Sequence, residues 1–379
     1  MSEDLFERRL TAAPLPAQER DARMEQLGFG QVFTEHMVTI RWHAEKGWYD
    51  AAIEPYAPLQ LDPATSVLHY GQSIFEGLKA YAQPDGSIAT WRPEVNAARF
   101  ARSAARLAMP ALPEELFLGA CRELVTADRA WVPTRGEESL YLRPFMIATD
   151  PFLGVRPSLT YLFLLIASPV AAYFPRPGRG EGAGRAGGVE PVTVWLSTEY
   201  VRAAPGGTGE AKCAGNYAAS LVAQAQAAEQ GCDQVVWLDA VERRWVEEMG
   251  GMNLYFVERD GDTTTLVTPE LSGTLLAGVT RDTILSLGAD LGMLVEERRF
   301  STDEWRASCA SGRITETFAC GTAAVVTPVA GVKHTGGEWT VGDGGSGPVT
   351  LRIRETLLDL QHGRTADPHG WRHQLVPAP

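Results

Sequence analysis

Gly206-Gly207-Thr208-Gly209-Glu210-Ala211-Lys212-Cys213-Ala214-Gly215-Asn216-Tyr217 sets a lysine among small residues. The whole chain carries four lysines against thirty arginines. A sequence that otherwise uses Arg keeps Lys here, beside glycines that let backbone come close to a bound group. Only an amine can lose its proton and attack a carbonyl; a guanidinium cannot. The loop runs into a helix-like stretch, Asn216 to Gln230, whose first N–H groups can face an anion. The other lysines lack this setting. Lys46 sits in a polar turn, Lys79 follows Phe75-Glu76-Gly77, and Lys333 borders His334-Thr335-Gly336-Gly337. Lys212 is therefore the candidate for covalent attachment of pyridoxal phosphate.

The bulk numbers narrow the field. A chain of 379 residues suggests two domains. An apolar content of 45% with 21% charged residues describes a soluble globular protein. A net charge of −13 argues against nucleic acid and against an anionic membrane surface as partners. It also means that an anionic substrate needs local positive charge. The five cysteines (Cys121, Cys213, Cys232, Cys309, Cys320) form no metal-like spacing and no CxxC, so no metal site is expected and a cytoplasmic, reducing setting is the simplest reading. The first residues are polar and of mixed charge, without the apolar stretch of a signal peptide. The longest apolar run, Leu159 to Tyr173, is too short to span a bilayer. The arginine excess carries no functional weight in this reading.

Along the chain, residues 175–191 hold six glycines and three prolines and read as a linker. It divides an N-terminal domain, 1–174, from a C-terminal domain, 192–379. Strands are expected at His36–Trp42, Leu140–Ala148 and Leu159–Val170, and a hairpin from Leu78 to Trp91 around Pro84-Asp85-Gly86. Pro93–Met109 and Pro113–Trp131 read as helices. Beyond the linker, Val192–Ser197, Gln234–Asp239 and Arg313–Phe318 read as strands and Thr280–Leu291 as a helix. Trp245–Val257 and Thr263–Val267 read as one hairpin turning at Asp260-Gly261, and 336–347 as a loop or hairpin edge. The fold class is mixed α and β, without a clean βαβ array.

The run Gly-Thr-Gly-x-x-Lys-x-x-Gly-Asn-Tyr resembles the lysine loop of class IV, fold type IV, pyridoxal-phosphate aminotransferases, the branched-chain amino acid aminotransferases above all. Phe29-Gly30, His69-Tyr70-Gly71, Phe75-Glu76-Gly77-Leu78-Lys79, Leu140-Tyr141-Leu142-Arg143-Pro144, Glu248-Met249-Gly250-Gly251-Met252-Asn253 and Gly321-Thr322-Ala323 match in the same order, and Gly347-Pro348 also fits. The resemblance implies a smaller N-terminal α+β domain and a larger, barrel-like C-terminal domain with the cofactor between them. It implies ping-pong transamination of leucine, isoleucine and valine with 2-oxoglutarate.

Pyridoxal phosphate asks for an amine, a charge partner for the pyridine nitrogen, a phosphate site and groups that orient the ring. The resemblance gives Lys212 the first role and Glu248 the second. Glu247 competes with Glu248, and only the register of the motif selects between them. Arg99, the backbone of Val279 and Thr280, and the Thr322 hydroxyl would hold the phosphate, and Tyr217 the ring oxygen. Taken alone, Arg99 reads as an ordinary arginine on a helix with Arg102 and Arg106, and Tyr217 as core packing. Phe29, Tyr70, Phe75, Tyr141, Arg143, Tyr173, Gly251, Thr322 and Ala323 would form the substrate pocket. Tyr141 and Arg143, two apart on a strand, share a face and suit a joint grip on a carboxylate. Leu153 and Val155 look like a loop lent to a second subunit, which implies a homodimer. The chain has Ala324-Val325-Val326-Thr327 where some relatives carry a CxxC, so no redox switch is expected, and Gly251 where some carry Thr. Within the same fold, a D-amino acid transaminase or an aminodeoxychorismate lyase would lack the His69-Tyr70 segment and the Tyr141-x-Arg143 pair. An aminotransferase for an unusual aliphatic or aromatic amino acid is the alternative activity, and a non-catalytic binding protein on an enzyme scaffold is the rival from another class.

Overall fold

The computed structural model describes residues 5–171 and 189–379. Tyr173 and most of the expected linker lie outside the described residues. The chain divides into two compact units. The first holds the described residues up to 171, Ala211–Ala214 and Leu358–Pro379; the second holds 189–210 and Gly215–Leu357.

In the first unit a nine-stranded sheet is covered by two helices, Pro93–Arg106 and Glu114–Ala127. Its centre is the antiparallel trio His36–His43, Thr160–Val170 and Ser139–Ala148. The expected hairpin is there as Leu78–Ala82 and Ile88–Trp91. Thr160–Val170 is buried along most of its length, which accounts for its near-continuous apolar sequence. Its Phe163 meets Phe100 and Phe117 of the two helices, and all three rings are fully buried.

The second unit contains a closed ring of six strands. In order around the ring these are Val246–Met249, Gln234–Leu238, Val192–Ser197, Val325–His334, Ile314–Gly321 and Met252–Asp260. The last pairs back to the first through Glu248↔Asn253 and Met249↔Met252. The stretch 245–257, expected as one strand, is therefore two. Gly250 makes the difference. Its φ is +57°, and a Cβ there would lie 2.4 Å from Gln234 Oε1. Its N–H donates to Val235 and its carbonyl accepts the Trp237 indole N–H, so the turn is fixed to the neighbouring strand. The hairpin at Asp260-Gly261 is present in addition. The expected helix Asn216–Gln230 is broken into Ala214–Ala218 and Leu221–Glu229.

The division differs from the expected 1–174 and 192–379 in two places. Ala211–Ala214 belong with the first unit because Cys213 bridges Ile74. The last 22 residues return to it as well, because Arg372–Val376 adds an edge strand beside Ile88–Trp91. Leu375 and Val376 enter its core. Among the described residues, no helix is long and apolar enough to cross a membrane.

Leu375→Ala should cost about 2–5 kcal/mol, the usual range for a buried Leu truncated to Ala. Chemical denaturation with the first unit as the probe checks this; an unchanged midpoint would mean that the tail does not belong to that core.

Candidate functional site

Backbone bonds hold Lys212 from two sides. Its N–H donates to Ser103 Oγ at 2.9 Å, and its carbonyl accepts the Phe75 N–H at 3.0 Å. The amine lies 4.8 Å from the centre of the Phe75 ring, against its face. A lysine in a loop is thereby held at both its backbone N–H and its carbonyl.

Helix Pro93–Arg106 turns Asn96, Arg99, Phe100 and Ser103 inward, while Arg102 and Arg106 stay exposed. The bland reading of Arg99 as one more surface arginine is thus overturned by its burial. Glu76, fully buried, takes Arg99 Nε at 2.7 Å and Nη2 at 2.9 Å, a bidentate pair. Asn96 Nδ2 adds a bond of 2.8 Å to the same carboxylate. Burial alone would raise the Glu76 pKa. The charge and hydrogen bonds of Arg99, followed by Lys212 and Asn96, outweigh it and hold the carboxyl below its ordinary value. Glu76 has no role in the sequence reading. The available signal was a carboxylate inside the apolar stretch Ile74-Phe75-Glu76-Gly77-Leu78, where an unpaired charge would be costly.

Tyr141 and Arg143 do share a face of Ser139–Ala148: Arg143 Nη2 donates to the Tyr141 hydroxyl at 3.0 Å. The guanidinium lies 4.8 Å from the Phe75 ring centre, and Phe29 packs edge-on to Tyr141 at 5.0 Å. These four residues and the Lys212 amine form one chain of contacts rich in aromatic rings. Tyr70 is placed differently. Its hydroxyl donates to the Leu153 carbonyl at 2.6 Å, on an exposed surface. Leu153 is 78% and Val155 91% exposed.

In the second unit Glu248 is 1% exposed. Its Oε1 accepts the Leu276 N–H at 2.5 Å and Asn253 Nδ2 at 3.4 Å; its Oε2 pairs with Arg202 Nε at 2.9 Å. Adjacent residues on a strand face opposite ways, and Glu247 has other company. One of its oxygens accepts the Thr274 hydroxyl, and the side chain lines a cavity of about 230 Å³ with Trp245 and Arg299. Desolvation dominates there. The Glu247 pKa is raised by burial above all; the Thr274 hydrogen bond opposes this, the Glu248 charge adds to it, and the Arg202 charge opposes it. The two glutamates that sequence could separate only by register thus differ in physical state. Arg202 was missed because arginines carried no weight.

The segment bonded to Glu248 leads directly into helix Val279–Asp290. Gly278 occupies its N-cap, and no side chain caps that end. Val279 and Thr280 stand first in the helix, where backbone N–H groups favour an anion. Gly251 faces Tyr217: a Cβ at 251 would lie 3.3 Å from the ring. Thr322 and Ala323 form the tight turn between strands Ile314–Gly321 and Val325–His334.

Each unit by itself carries groups suited in kind to a phosphorylated pyridine aldehyde. The first unit supplies the amine of Lys212 and the guanidinium of Arg99. The second supplies a buried carboxylate, an uncapped helix start and a phenol.

Residues 73–332 match the family model described as amino-transferase class IV. The chain is 59% identical to the branched-chain-amino-acid aminotransferase of Mycolicibacterium smegmatis, over 94% of each chain. Among solved structures it resembles the branched-chain amino acid aminotransferase of Escherichia coli, with a TM-score of 0.70 and 28% identity over 89% of this chain and 99% of that one. It also resembles the T.th. branched-chain amino acid aminotransferase complexed with N-(5'-phosphopyridoxyl)-L-glutamate, with a TM-score of 0.68 and 29% identity over 89% and 98%.

Glu247→Gln keeps an acceptor for Thr274 and removes the titrating group. Folding raises the Glu247 pKa, so the unmodified chain loses stability as pH rises through the folded value, and the variant does not. Calorimetry of the cofactor-free protein should find the Tm of the variant, relative to the parent, higher at about pH 8 than at about pH 5. A difference independent of pH would contradict this.

Proposed function

The chain belongs to the class IV amino-transferase family, and from that footing we propose that it moves amino groups between branched-chain L-amino acids and 2-oxoglutarate. The observation that carries this reading is the Arg143–Tyr141 bond within an aromatic wall. One pocket in a ping-pong enzyme must accept an aliphatic side chain and then the second carboxylate of glutamate. Phe29 and Phe75 suit the first. The guanidinium and phenol pair suits the second, since a charged donor in a poorly hydrated space binds a carboxylate strongly. The name of the M. smegmatis relative agrees with the first substrate, and the glutamate adduct in the T.th. structure with the second.

Pyridoxal phosphate, when bound, supplies an electrophilic carbonyl and an electron sink for cleavage at the substrate Cα. Lys212 would hold it covalently and, once released, would carry the proton away from Cα. Fixing the backbone of Lys212 on both sides limits where its amine can reach, and such restriction is worth rate. Glu248 would keep the ring nitrogen protonated. Arg99 and the Val279–Thr280 helix start would take the phosphate, with the Thr322 hydroxyl. Tyr217 would bond the ring oxygen. The Thr322-Ala323 turn would meet the α-carboxylate of the substrate, and Gly251 would line the same pocket. Glu76 would fix the plane of the Arg99 guanidinium.

The same reading makes the protein a cytoplasmic homodimer. Leu153 and Val155 support the second part: two large apolar side chains are exposed close together, and such patches mark interfaces. Because Tyr70 is bonded to Leu153, it would go with that loop to the partner's pocket.

With 2-oxoglutarate as acceptor, L-leucine, L-isoleucine and L-valine should each yield L-glutamate, and D-amino acids should not. Lys212→Ala should reduce turnover below detection. Glutamate formed from none of the three branched donors would refute the assignment. Val155→Asp should shift the sedimentation coefficient from dimer toward monomer; a dimer unaffected by the charge would remove this loop from the interface.

A further inference from the structure

Arg202 has no place in the roles assigned so far, yet it is among the most constrained side chains of the second unit. Its side chain is 4% exposed. Nε pairs with Glu248 Oε2 at 2.9 Å, while Nη1 donates to the carbonyls of Thr274 at 2.8 Å and Gly209 at 3.1 Å. Nη1 thus bonds two different segments while Nε stands in ion-pair contact with a third, all held by one rigid plane.

Each of the three contacts bears on Glu248. The direct pair supplies the countercharge for a carboxylate excluded from water. The Thr274 bond fixes the segment that, two residues on, donates the Leu276 N–H to the other oxygen of Glu248. The Gly209 bond fixes a backbone that touches the same segment: a Cβ at 209 would lie 2.4 Å from the Thr274 carbonyl oxygen. Glu247 competes for positive charge, but its nearest bond is to Thr274, and among the described residues it has no ion pair in the network. The guanidinium makes its ion pair with one of two adjacent carboxylates.

We propose that Arg202 is a positioning residue for the cofactor, clamping Glu248 as an oriented anion so that it can serve the pyridine nitrogen. The proposal rests on the reading of Glu248 as the partner of that nitrogen. Lysine cannot replace the arginine, because a point charge cannot reach a carboxylate and two carbonyls in one plane.

The test titrates cofactor-free protein with pyridoxal phosphate, following protein fluorescence, for Arg202→Gln, Arg202→Lys, Glu248→Gln and the double variant Arg202→Gln/Glu248→Gln. Both Arg202 variants should bind roughly tenfold more weakly or worse, as expected when one partner of a buried charge pair is removed. The double variant should bind no more weakly than Glu248→Gln alone, since Arg202 acts through Glu248. A purely structural arginine would lower Tm without making the affinity loss depend on residue 248. If Arg202→Gln does not fold, Arg202→Lys, which keeps the charge, carries the same comparison. Losses that add in the double variant, or unchanged affinity in folded Arg202 variants, would overturn the proposal while leaving Glu248 in its role. Unchanged affinity in Glu248→Gln would instead remove the reading of Glu248, and the proposal with it.

Discussion

A carboxylate denied water must find its partners inside the protein, and Glu248 organises the second unit by doing so. It sits at the pairing that closes the six-stranded ring, opposite Asn253. Leu276 and Asn253 bond one of its oxygens and Arg202 faces the other as a countercharge. An unpaired carboxylate at 1% exposure would cost several kcal/mol. The ring closure, the segment before helix Val279–Asp290 and the loop at Gly209 are therefore not independent features. Each is held against the same charge, and the uncapped helix start is delivered as a consequence.

The first unit solves a parallel problem with the signs exchanged. Arg99 is a buried cation, and Glu76 neutralises it through two parallel bonds. A bidentate pair fixes the plane of the guanidinium as well as its position, which a lysine could not reproduce. The Lys212 amine adds its charge to the same region and helps to keep Glu76 ionised. The buried pair survives in an apolar unit because Arg99 and Glu76 carry opposite charges. Phe75 then gives Arg143 and Lys212 a shared aromatic surface.

How much of this was legible in sequence depended on whether the cause was local. The helices Pro93–Arg106 and Val279–Asp290 and the strand Thr160–Val170 follow from periodicity and apolar runs, and lie within a few residues of expectation. The branched-chain aminotransferase motifs gave the family correctly, because residues such as Lys212 and Glu248 keep their neighbours in the chain. Non-local causes were not legible. The turn at Gly250 depends on Gln234, Val235 and Trp237, so two strands read as one. The tail strand Arg372–Val376 has an unremarkable sequence and gains its place only from the free edge of Ile88–Trp91. Glu76 and Arg202 are buried ions whose partners lie 23 and 46 residues away in sequence, beyond any local pattern. The motif groups Tyr70 with the pocket but says nothing of its bond to Leu153, which is a matter of tertiary placement.

Lys212 is the one of four lysines proposed to hold the cofactor. Borohydride reduction of the cofactor-loaded protein, followed by digestion and mass spectrometry, locates that amine directly. The expected result is a phosphopyridoxyl group on the peptide containing Lys212 and on no other. A group found on Lys46, Lys79 or Lys333, or on none of the four, would contradict the account.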